Sequence, residues 1–208
     1  MTYTPTAVGT GLHTITATYG GDAKHLTSSG TTTVLVTKRA TRTSVSCTPT
    51  SVPVDAPTSC TATVSDIDVG TTSTPSGTVT FGSSSSGSFS STTCTLGASG
   101  TCSVTYTPAV VGEHVITASY GGDDTHAASS GMTSVTATPR TTMTIVTCAP
   151  TSVPVNSPTT CTATVTDTAT GSTSTPTGMV LFASSGAGTF SGNPCTLSGS
   201  GASSSCSV

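Results

Sequence analysis

Apolar and polar residues alternate over residues 112–120, which read GEHVITASY. One face carries the His, Ile, Ala and Tyr side chains, and the other carries Val, Thr and Ser. This period of two predicts a half-buried β-strand, and the Gly-Gly-Asp that follows predicts a turn. A second alternating run begins at Ser129, so the pattern predicts a β-hairpin with one apolar face. Because an isolated two-stranded hairpin is at best marginally stable in water, further strands must cover it.

The same hairpin pattern occurs near the start of the chain. Residues 13–22, HTITATYGGD, repeat the first strand and its turn, and residues 28–30 repeat the Ser-Ser-Gly that opens the second strand. The apolar face of this earlier hairpin, which we predict to connect one unit to the next, carries His13, Ile15, Ala17, Tyr19, Val34 and Val36.

The rest of the chain is also periodic, with a shift of 101 residues. The cysteines at 47, 60 and 94 recur at 148, 161 and 195, and the TSVPV of residues 50–54 recurs at 151–155. Such self-similarity is the signature of a repeat architecture.

Seven strand-like runs fill one period. They lie near residues 43–48, 59–65, 77–82, 88–95 and 101–107, followed by the two strands of the hairpin. Residues 52–54, Val-Pro-Val, are predicted to extend the first run, because Pro suits only an edge strand, a strand start or a bulge. The side chains predicted to point inward are Val45, Cys47, Cys60, Ala62, Val64, Val79, Phe81, Cys102, Val104 and Tyr106. Short alternating strands separated by turns predict an antiparallel β-sandwich.

The boundaries of the repeat do not coincide with the ends of the sequence. Residues 40–139 hold a complete copy, residues 1–39 hold only the last hairpin, and residues 140–208 hold only the first part. Residues 206–208 read CSV and residues 2–5 read TYTP, which are consecutive in the complete copy at 102–108. Two interpretations stay open: a segment of a longer tandem array, or a chain that polymerises head-to-tail. In the second, residues 2–39 complete residues 140–208 of another chain by strand complementation, and the contact generates a fibre.

Composition narrows the class of function. Only 6% of residues are charged and the net charge is -3, which excludes electrostatic binding of nucleic acid. No apolar stretch approaches the ~18 residues of a membrane span. The first residues, MTYTP, have neither the basic nor the apolar region of a signal peptide. Because the sequence begins inside a repeat, we nevertheless expect a piece of a longer secreted protein.

Eight cysteines, four in each period, predict disulfides. They are Cys47, Cys60, Cys94, Cys102, Cys148, Cys161, Cys195 and Cys206. We favour bonds between sequence neighbours, which give Cys47–Cys60, Cys94–Cys102, Cys148–Cys161 and Cys195–Cys206. The alternative joins Cys60 to Cys102 and Cys47 to Cys94, since both Cys60 and Cys102 point inward. A zinc site is disfavoured, because there is no Cys-x-x-Cys and no His at ligand spacing.

Three motifs together resemble a known family. GTVTF at 77–81, YTP at 106–108 and GEHVITASYGGD at 112–123 are similar to the bacterial immunoglobulin-like repeats, group 3 type, of secreted and cell-surface proteins. The resemblance implies tandem all-β immunoglobulin-like sandwiches of about 100 residues, used outside the cell as stalks, spacers or adhesive modules. The family brings no catalytic motif, and the cysteine pairs are an addition to its pattern.

The polar residues that recur favour structural roles. His114 repeats His13 and His126 repeats His25, which indicates packed or turn-bonding side chains. The Asp after Gly-Gly, at position 123 and its earlier copy, commonly bonds its own backbone in a turn. The acids near residues 66–68 and 123–124 are too few for calcium. Neither a Gly-x-Ser-x-Gly elbow nor a P-loop ending occurs, so we predict no enzyme, no cofactor and no metal.

Hydroxyl side chains dominate the loops and outward faces. Thr suits strands, but Ser/Thr/Pro-rich segments are also typical of O-glycosylated stalks. The candidate acceptors are Thr71, Thr72, Ser73, Thr74, Ser83, Ser84, Ser85 and Ser86. Neither of the two Asn residues lies in an Asn-x-Ser/Thr motif for N-glycosylation, since one is followed by Ser-Pro and the other by Pro-Cys.

The sequence therefore predicts a non-enzymatic, disulfide-linked structural repeat of an extracellular or cell-surface filament or stalk. Its predicted partners are copies of itself and glycans, with no nucleic acid and no membrane span. The alternative is an adhesin or carbohydrate-binding module of a secreted bacterial protein, and a third hypothesis is the spacer of a secreted enzyme.

Overall fold

The computed structural model describes residues 1–208, and all its regular elements are β-strands. The predicted all-β class is confirmed. Near the start of the chain, β1 (Leu12–Tyr19) and β2 (Ser28–Leu35) pair antiparallel and form a sheet of two strands.

Residues 41–138 form two sheets that pack face to face. Their strands are β3 (Thr41–Thr48), β4 (Ser51–Pro53), β5 (Thr58–Asp66), β6 (Thr78–Ser83), β7 (Gly87–Phe89), β8 (Thr93–Thr95), β9 (Thr101–Pro108), β10 (Gly112–Tyr120) and β11 (Ser129–Thr138). One sheet has the order β3-β5-β9-β7 and the other has the order β4-β11-β10-β6-β8. All pairs are antiparallel except β4 with β11, which is parallel.

A single apolar core lies between these two sheets. Alternate residues of each strand point into it, as the period of two predicts. Fifteen buried residues from both sheets form the core: Cys47, Val52, Ala56, Cys60, Ala62, Val64, Val79, Phe81, Leu96, Val104, Tyr106, Ile116, Ala118, Tyr120 and Val135. The inward face predicted for residues 114–120 is confirmed, because all four of its side chains are buried.

Two details of the strand prediction are wrong. Residues 51–53 do not extend the first strand: β4 crosses to the other sheet and pairs with β11, where Pro53 is tolerated because β4 lies at an edge. The run at 88–95 is two strands, with β7 beside β9 and β8 beside β6 in the opposite sheet. Between them the Ser91 hydroxyl accepts a hydrogen bond from the Thr93 amide, in the local turn that Ser favours.

Residues 142–207 form two further small sheets. Their strands are β12 (Thr142–Ala149), β13 (Thr160–Asp167), β14 (Met179–Val180), β15 (Cys195–Thr196), β16 (Ser198–Ser200) and β17 (Ser203–Ser207). One sheet has the order β12-β13-β17-β16, and β14 pairs with β15 in the other. Cys148 lies opposite Cys161 on β12 and β13, as Cys47 lies opposite Cys60 on β3 and β5. The two strand pairs therefore have the same register, 101 residues apart in the sequence.

Candidate interaction site

The hairpin β1–β2 has the same strand register as β10–β11. His13 lies opposite Val34 and Ala17 opposite Gly30, as His114 lies opposite Val135 and Ala118 opposite Gly131 in the later hairpin. The two hairpins differ in what covers them. Val135 has no exposed surface, whereas Val34 is 41% exposed. The apolar face that is buried in the later hairpin is therefore partly open to solvent in the earlier one, where Ala17, Tyr19 and Val34 are exposed.

The cover of β10–β11 comes from three neighbouring strands. β6 pairs along β10, β4 pairs along β11, and β3 packs against both strands. The fit is closest at Gly131, where a Cβ atom would lie 2.9 Å from the carbonyl carbon of Thr43. A Cβ atom on Gly30, the equivalent residue of β2, would meet nothing within 4 Å. The β1–β2 hairpin thus has a glycine at the position that allows β11 to approach β3, but no strand lies against this glycine within the chain.

A Tyr–His pair fixes the start of each hairpin. The Nε2–H of His114 donates to the Val110 carbonyl at 2.9 Å, so in the neutral ring Nδ1 accepts from the Tyr106 hydroxyl at 2.7 Å. Tyr106 also bonds the Ser83 hydroxyl at 2.8 Å and packs against the tilted ring of Phe89, with 4.7 Å between ring centroids.

The earlier hairpin keeps the pair but lacks its surroundings. The Tyr3 hydroxyl bonds Nδ1 of His13, and Nε2–H of His13 donates to the Val8 carbonyl at 3.1 Å. Tyr3 is 51% exposed, and no Ser or Phe side chain takes the places of Ser83 and Phe89. The Tyr–His half of this core contact is therefore present in the earlier hairpin, but the Ser and Phe side chains that complete it in the central unit are not.

Residues 140–208 carry the other half of that arrangement. Phe182 and Phe190 have centroids 6.1 Å apart, as Phe81 and Phe89 have at 6.0 Å, but Phe190 is 37% exposed and no Tyr stacks on it. β14 has two residues where the equivalent β6 has six. Residues 152–154, which match β4, form no strand. The missing parts are those that depend on β10, β11 and the end of β9 in the central unit.

A second polar cluster joins a loop to the turn after β10. The Asp123 carboxylate accepts hydrogen bonds from the amides of Ser76, Thr125 and His126 at 2.9, 2.8 and 2.6 Å. It also accepts from the hydroxyls of Ser76 and Thr125 at 3.0 and 3.1 Å and from Nδ1–H of His126 at 2.9 Å. Nε2 of His126 lies 2.9 Å from the Ser73 hydroxyl. Burial raises the pKa of Asp123, but these hydrogen bonds outweigh burial and hold the pKa well below its usual range.

The order Ser73–His126–Asp123 is that of a nucleophile, a base and an orienting acid. The sequence did not predict the contact between Ser73 and His126, because the two residues are 53 positions apart. Its only signal for Ser73 was that Ser174 repeats this residue in the next period. A hydrolase also needs a pocket for its substrate, and the four principal cavities are lined by other residues. The contacts instead tie the 73–76 loop to the turn at 123–126.

The β1–β2 hairpin contains the equivalent turn. The Asp22 carboxylate accepts from the amides of Lys24 and His25 at 2.8 and 2.9 Å, and from the Tyr19 hydroxyl at 2.8 Å. These hydrogen bonds, that of the Lys24 amide foremost, lower the pKa of Asp22. The predicted turn-bonding role of both Asp residues is thus what the structure contains.

We expect Asp123→Asn to destabilise the central unit by about 2–3 kcal/mol at pH 7, because hydrogen bonds to a charged group are the stronger ones. The folded pKa of Asp123 is depressed, so its contribution is complete above the unfolded pKa of about 4 and is lost as pH falls towards the folded value. Urea unfolding at pH 7 and pH 3 should therefore show a smaller difference from wild type at pH 3. The exposed neighbour Asp124, changed to Asn, is the control; equal losses in both variants would contradict the assignment.

All eight cysteines form disulfides, and the bonds are those between sequence neighbours. Cys47–Cys60 crosses directly between β3 and β5. Cys94–Cys102 links β8 of one sheet to β9 of the other. The bonds of residues 140–208 repeat both positions. Four disulfides fit an extracellular protein, since such bonds persist in oxidising compartments.

The candidate glycosylation residues lie in two loops. Residues 71–74 are exposed, as are Ser84 and Ser86. Ser83 and Ser85 are half-buried, and the Ser83 hydroxyl is engaged by Tyr106. O-glycosylation stays a prediction for the exposed hydroxyls. No group of three or more His, Cys, Asp and Glu side chains is placed to hold a metal ion, and no helix is long and apolar enough to span a membrane.

Comparison with known families identifies the central unit. Residues 45–138 match the family profile described as bacterial Ig-like domain (group 3). This stretch is a bacterial Ig-like domain of group 3. The resemblance carried by its GTVTF, YTP and GEHVITASYGGD motifs is thereby confirmed. No curated protein matches the sequence.

Three solved structures illustrate what the chain is similar to. The D00–D0 domain of intimin has 18% identity and a TM-score of 0.36, over 62% of this chain and 65% of that one. Invasin, described as a bacterial integrin-binding protein, has 12% identity and a TM-score of 0.40, over 95% and 47%. FdeC, an Escherichia coli adhesin, has 13% identity and a TM-score of 0.31, over 98% and 74%. The chain thus spans just under two thirds of the intimin D00–D0 structure and about half of the invasin structure.

Proposed function

We propose that this protein is a non-enzymatic structural repeat of an extracellular filament, stalk or surface protein. Consecutive units assemble head-to-tail by sharing strands. Residues 40–139 are the complete unit, residues 1–39 are the last hairpin of a unit, and residues 140–208 are the part that receives such a hairpin from a neighbouring chain or repeat.

The observation that carries the proposal is the complementarity of the two chain segments. β1–β2 has the register of β10–β11, and β12–β13 has the register of β3–β5, which packs under β10–β11 in the central Ig-like domain. Each segment leaves exposed the surface that the other would cover. The central domain therefore serves as an internal template for the shared one.

The template specifies the contacts between copies. Tyr3 of one copy packs against Phe190 of the next, as Tyr106 packs against Phe89. Val36 lies beside Val153, because their equivalents Ala137 and Val52 are paired. β1 pairs along residues 179–184, which extends β14 to the length of β6.

These contacts give an assembly that grows in one direction. Main-chain hydrogen bonds between β1 and residues 179–184 provide affinity, as in other forms of strand addition. The donor and the acceptor are different surfaces of the chain, so each copy keeps one of each after binding. A heterologous contact of this kind forms a fibre unless the rotation between copies closes a ring.

Two further observations support the extracellular and non-enzymatic parts of the proposal. All the cysteines are oxidised, which fits a protein outside the cytosol. The hydrogen bonds of the Ser73–His126–Asp123 cluster join two loops at a position that recurs in the repeat, and none of these three side chains lines a principal cavity.

The test compares two adjacent substitutions in β1. Ala17 and Thr18 are both exposed in the single chain, but the equivalent of Ala17 is fully buried Ala118 and the equivalent of Thr18 is exposed Ser119. We expect wild type and Thr18→Lys to form linear assemblies in electron micrographs and to sediment faster at higher concentration. Ala17→Lys should remain a 20.2 kDa monomer, because the shared core would have to bury its charge. A wild-type chain that stays monomeric at all concentrations, or equal assembly of both variants, would refute strand sharing.

A further inference from the structure

Arg140 connects the central Ig-like domain to the segment that follows it. Its Nε–H donates to Asp167 at 2.8 Å and its Nη2–H to the Ala169 carbonyl at 3.2 Å, both on its own side of the joint. Its Nη1–H donates across the joint to the Val54 carbonyl at 2.6 Å. One guanidinium thus holds both sides, which its planar fork of donors permits.

Two backbone contacts reinforce the joint at Arg140. The Ser172 amide donates to the Asp55 carbonyl at 3.0 Å. Gly171 lies so close that a Cβ atom on it would stand 2.6 Å from the Cα atom of Ala56. The 54–56 turn therefore contacts three groups of the next unit, which are the Arg140 side chain, the Ser172 amide and Gly171.

Arg39 begins the same arrangement 101 residues earlier. Its Nε–H donates to Asp66, and its Nη2–H donates to the Asp68 carbonyl at 3.1 Å. The Arg39 hydrogen bond is the main reason why the pKa of Asp66 falls to about 2. The contacts across the joint are missing: a Cβ atom on Gly70 would meet nothing within 4 Å, and the Thr71 amide makes no hydrogen bond.

The turn that would fill this place is present at the other end of the chain. Val155 and Asn156 are the repeat equivalents of Val54 and Asp55. Asn156 has φ 65° and Asp55 has φ 63°, so both turns take the left-handed conformation. Each is closed by a hydrogen bond of 3.1 Å from the next amide to the preceding Pro carbonyl. The Val155 side chain is 91% exposed, and its turn is unoccupied within the chain.

We infer that Arg39, Gly70 and Thr71 of one copy bind the Val155–Asn156 turn of another copy, which fixes the angle between consecutive units. The inference rests on the proposed head-to-tail assembly, since the hairpin that precedes Arg39 must complete the unit that contains Val155. It adds a second contact surface, separate from the hairpin. Every joint along the assembly would then have the geometry that Arg140 gives the joint within the chain.

The test is the stiffness of the assemblies. Arg39→Lys removes the fork of donors but keeps the charge, and Arg42→Lys, on an exposed position three residues away, is the matched control. We expect Arg39→Lys assemblies to form and to have a shorter persistence length in electron micrographs than wild type or Arg42→Lys. Thr71→Pro removes the amide donor and fixes φ at residue 71, and it should have the same effect, so the result does not depend on one variant.

The outcomes separate the two proposals. Assemblies of Arg39→Lys and Thr71→Pro that are as straight as wild type would overturn the joint and leave strand sharing intact. A wild-type chain without assemblies would overturn both. A loss of straightness in Arg140→Lys calibrates the effect, because the structure contains that contact directly.

Discussion

Gly131→Ala is expected to destabilise the central Ig-like domain strongly, whereas Gly30→Ala is expected to leave the single chain unchanged and to abolish assembly. The new methyl group at residue 131 would lie 2.9 Å from the Thr43 carbonyl carbon, and backbone cannot move aside as a flexible side chain can. Overpacking of this kind typically costs about 1–3 kcal/mol, and more where the neighbour is rigid. Urea unfolding followed by circular dichroism would measure it.

The same methyl group at residue 30 meets nothing within the chain. In a shared unit, however, Gly30 would lie against Thr144 of the neighbouring copy, the repeat equivalent of Thr43. The variant should therefore have wild-type stability as a monomer and a single slow species in sedimentation velocity. An effect that appears only on assembly distinguishes strand sharing from a general weakness of the hairpin.

Gly20→Ala is the matched control for this pair. Neither Gly20 nor its equivalent Gly121 has any atom near the position of a Cβ, so this variant should unfold and assemble as wild type does. Assembly of Gly30→Ala at wild-type concentrations would contradict the proposed docking of β2 on residues 142–149. Loss of assembly in Gly20→Ala would show that the hairpin does not tolerate Ala in general.

Alternation along the sequence predicted most of the side chains that form the core, but not Val52, Ala56 or Leu96. Ile116, Ala118 and Tyr120 are buried because a strand of period two has only two faces and one of them is apolar. The disulfide between Cys47 and Cys60 was favoured from their proximity in sequence, and these residues lie directly opposite each other on β3 and β5. Local pattern and local pairing are what the sequence determines most directly.

The sheet to which a short strand belongs could not be predicted in the same way. β4 pairs with β11 rather than continuing β3, and its partner lies more than 80 residues away in the chain. The alternation within residues 51–53 is the same whichever sheet they join. Pro53 indicated an edge, but not which edge, because that depends on where the hairpin docks.

The close approach at Gly131 was also beyond the sequence. A strand glycine is compatible with a bulge, an open surface or backbone contact, and only the position of Thr43 decides among them. The contact of Ser73 with His126 depends likewise on a loop and a turn that are distant in sequence. The contacts that define the candidate interaction site therefore depend on tertiary geometry. The sequence alone predicts only that the hairpin repeats and that the repeat is incomplete at both ends of the chain.

An equimolar mixture of Gly30→Ala and Gly188→Ala chains is expected to stop at a species of two copies. Gly188 is the acceptor-side equivalent of Gly87, where a Cβ atom would lie 2.7 Å from the Thr107 carbonyl oxygen and would also contact the Tyr106 ring. In a shared unit those groups belong to Thr4 and Tyr3 of the incoming copy. Gly188→Ala thus blocks the receiving surface, although a Cβ atom there meets nothing within its own chain.

Each variant alone should remain monomeric, since one lacks a competent hairpin and the other lacks a competent receiving surface. Together, the intact hairpin of Gly188→Ala binds the intact receiving surface of Gly30→Ala, and the two remaining ends are both blocked. Mass measurement in solution should then give twice the 20.2 kDa of the single chain. A chain carrying both substitutions, mixed with Gly30→Ala, should give no dimer because neither chain offers a hairpin. Long assemblies from the complementary mixture would require a contact other than the shared strands, while a mixture that stays monomeric beside a polymerising wild type would place the hairpin's receptor elsewhere.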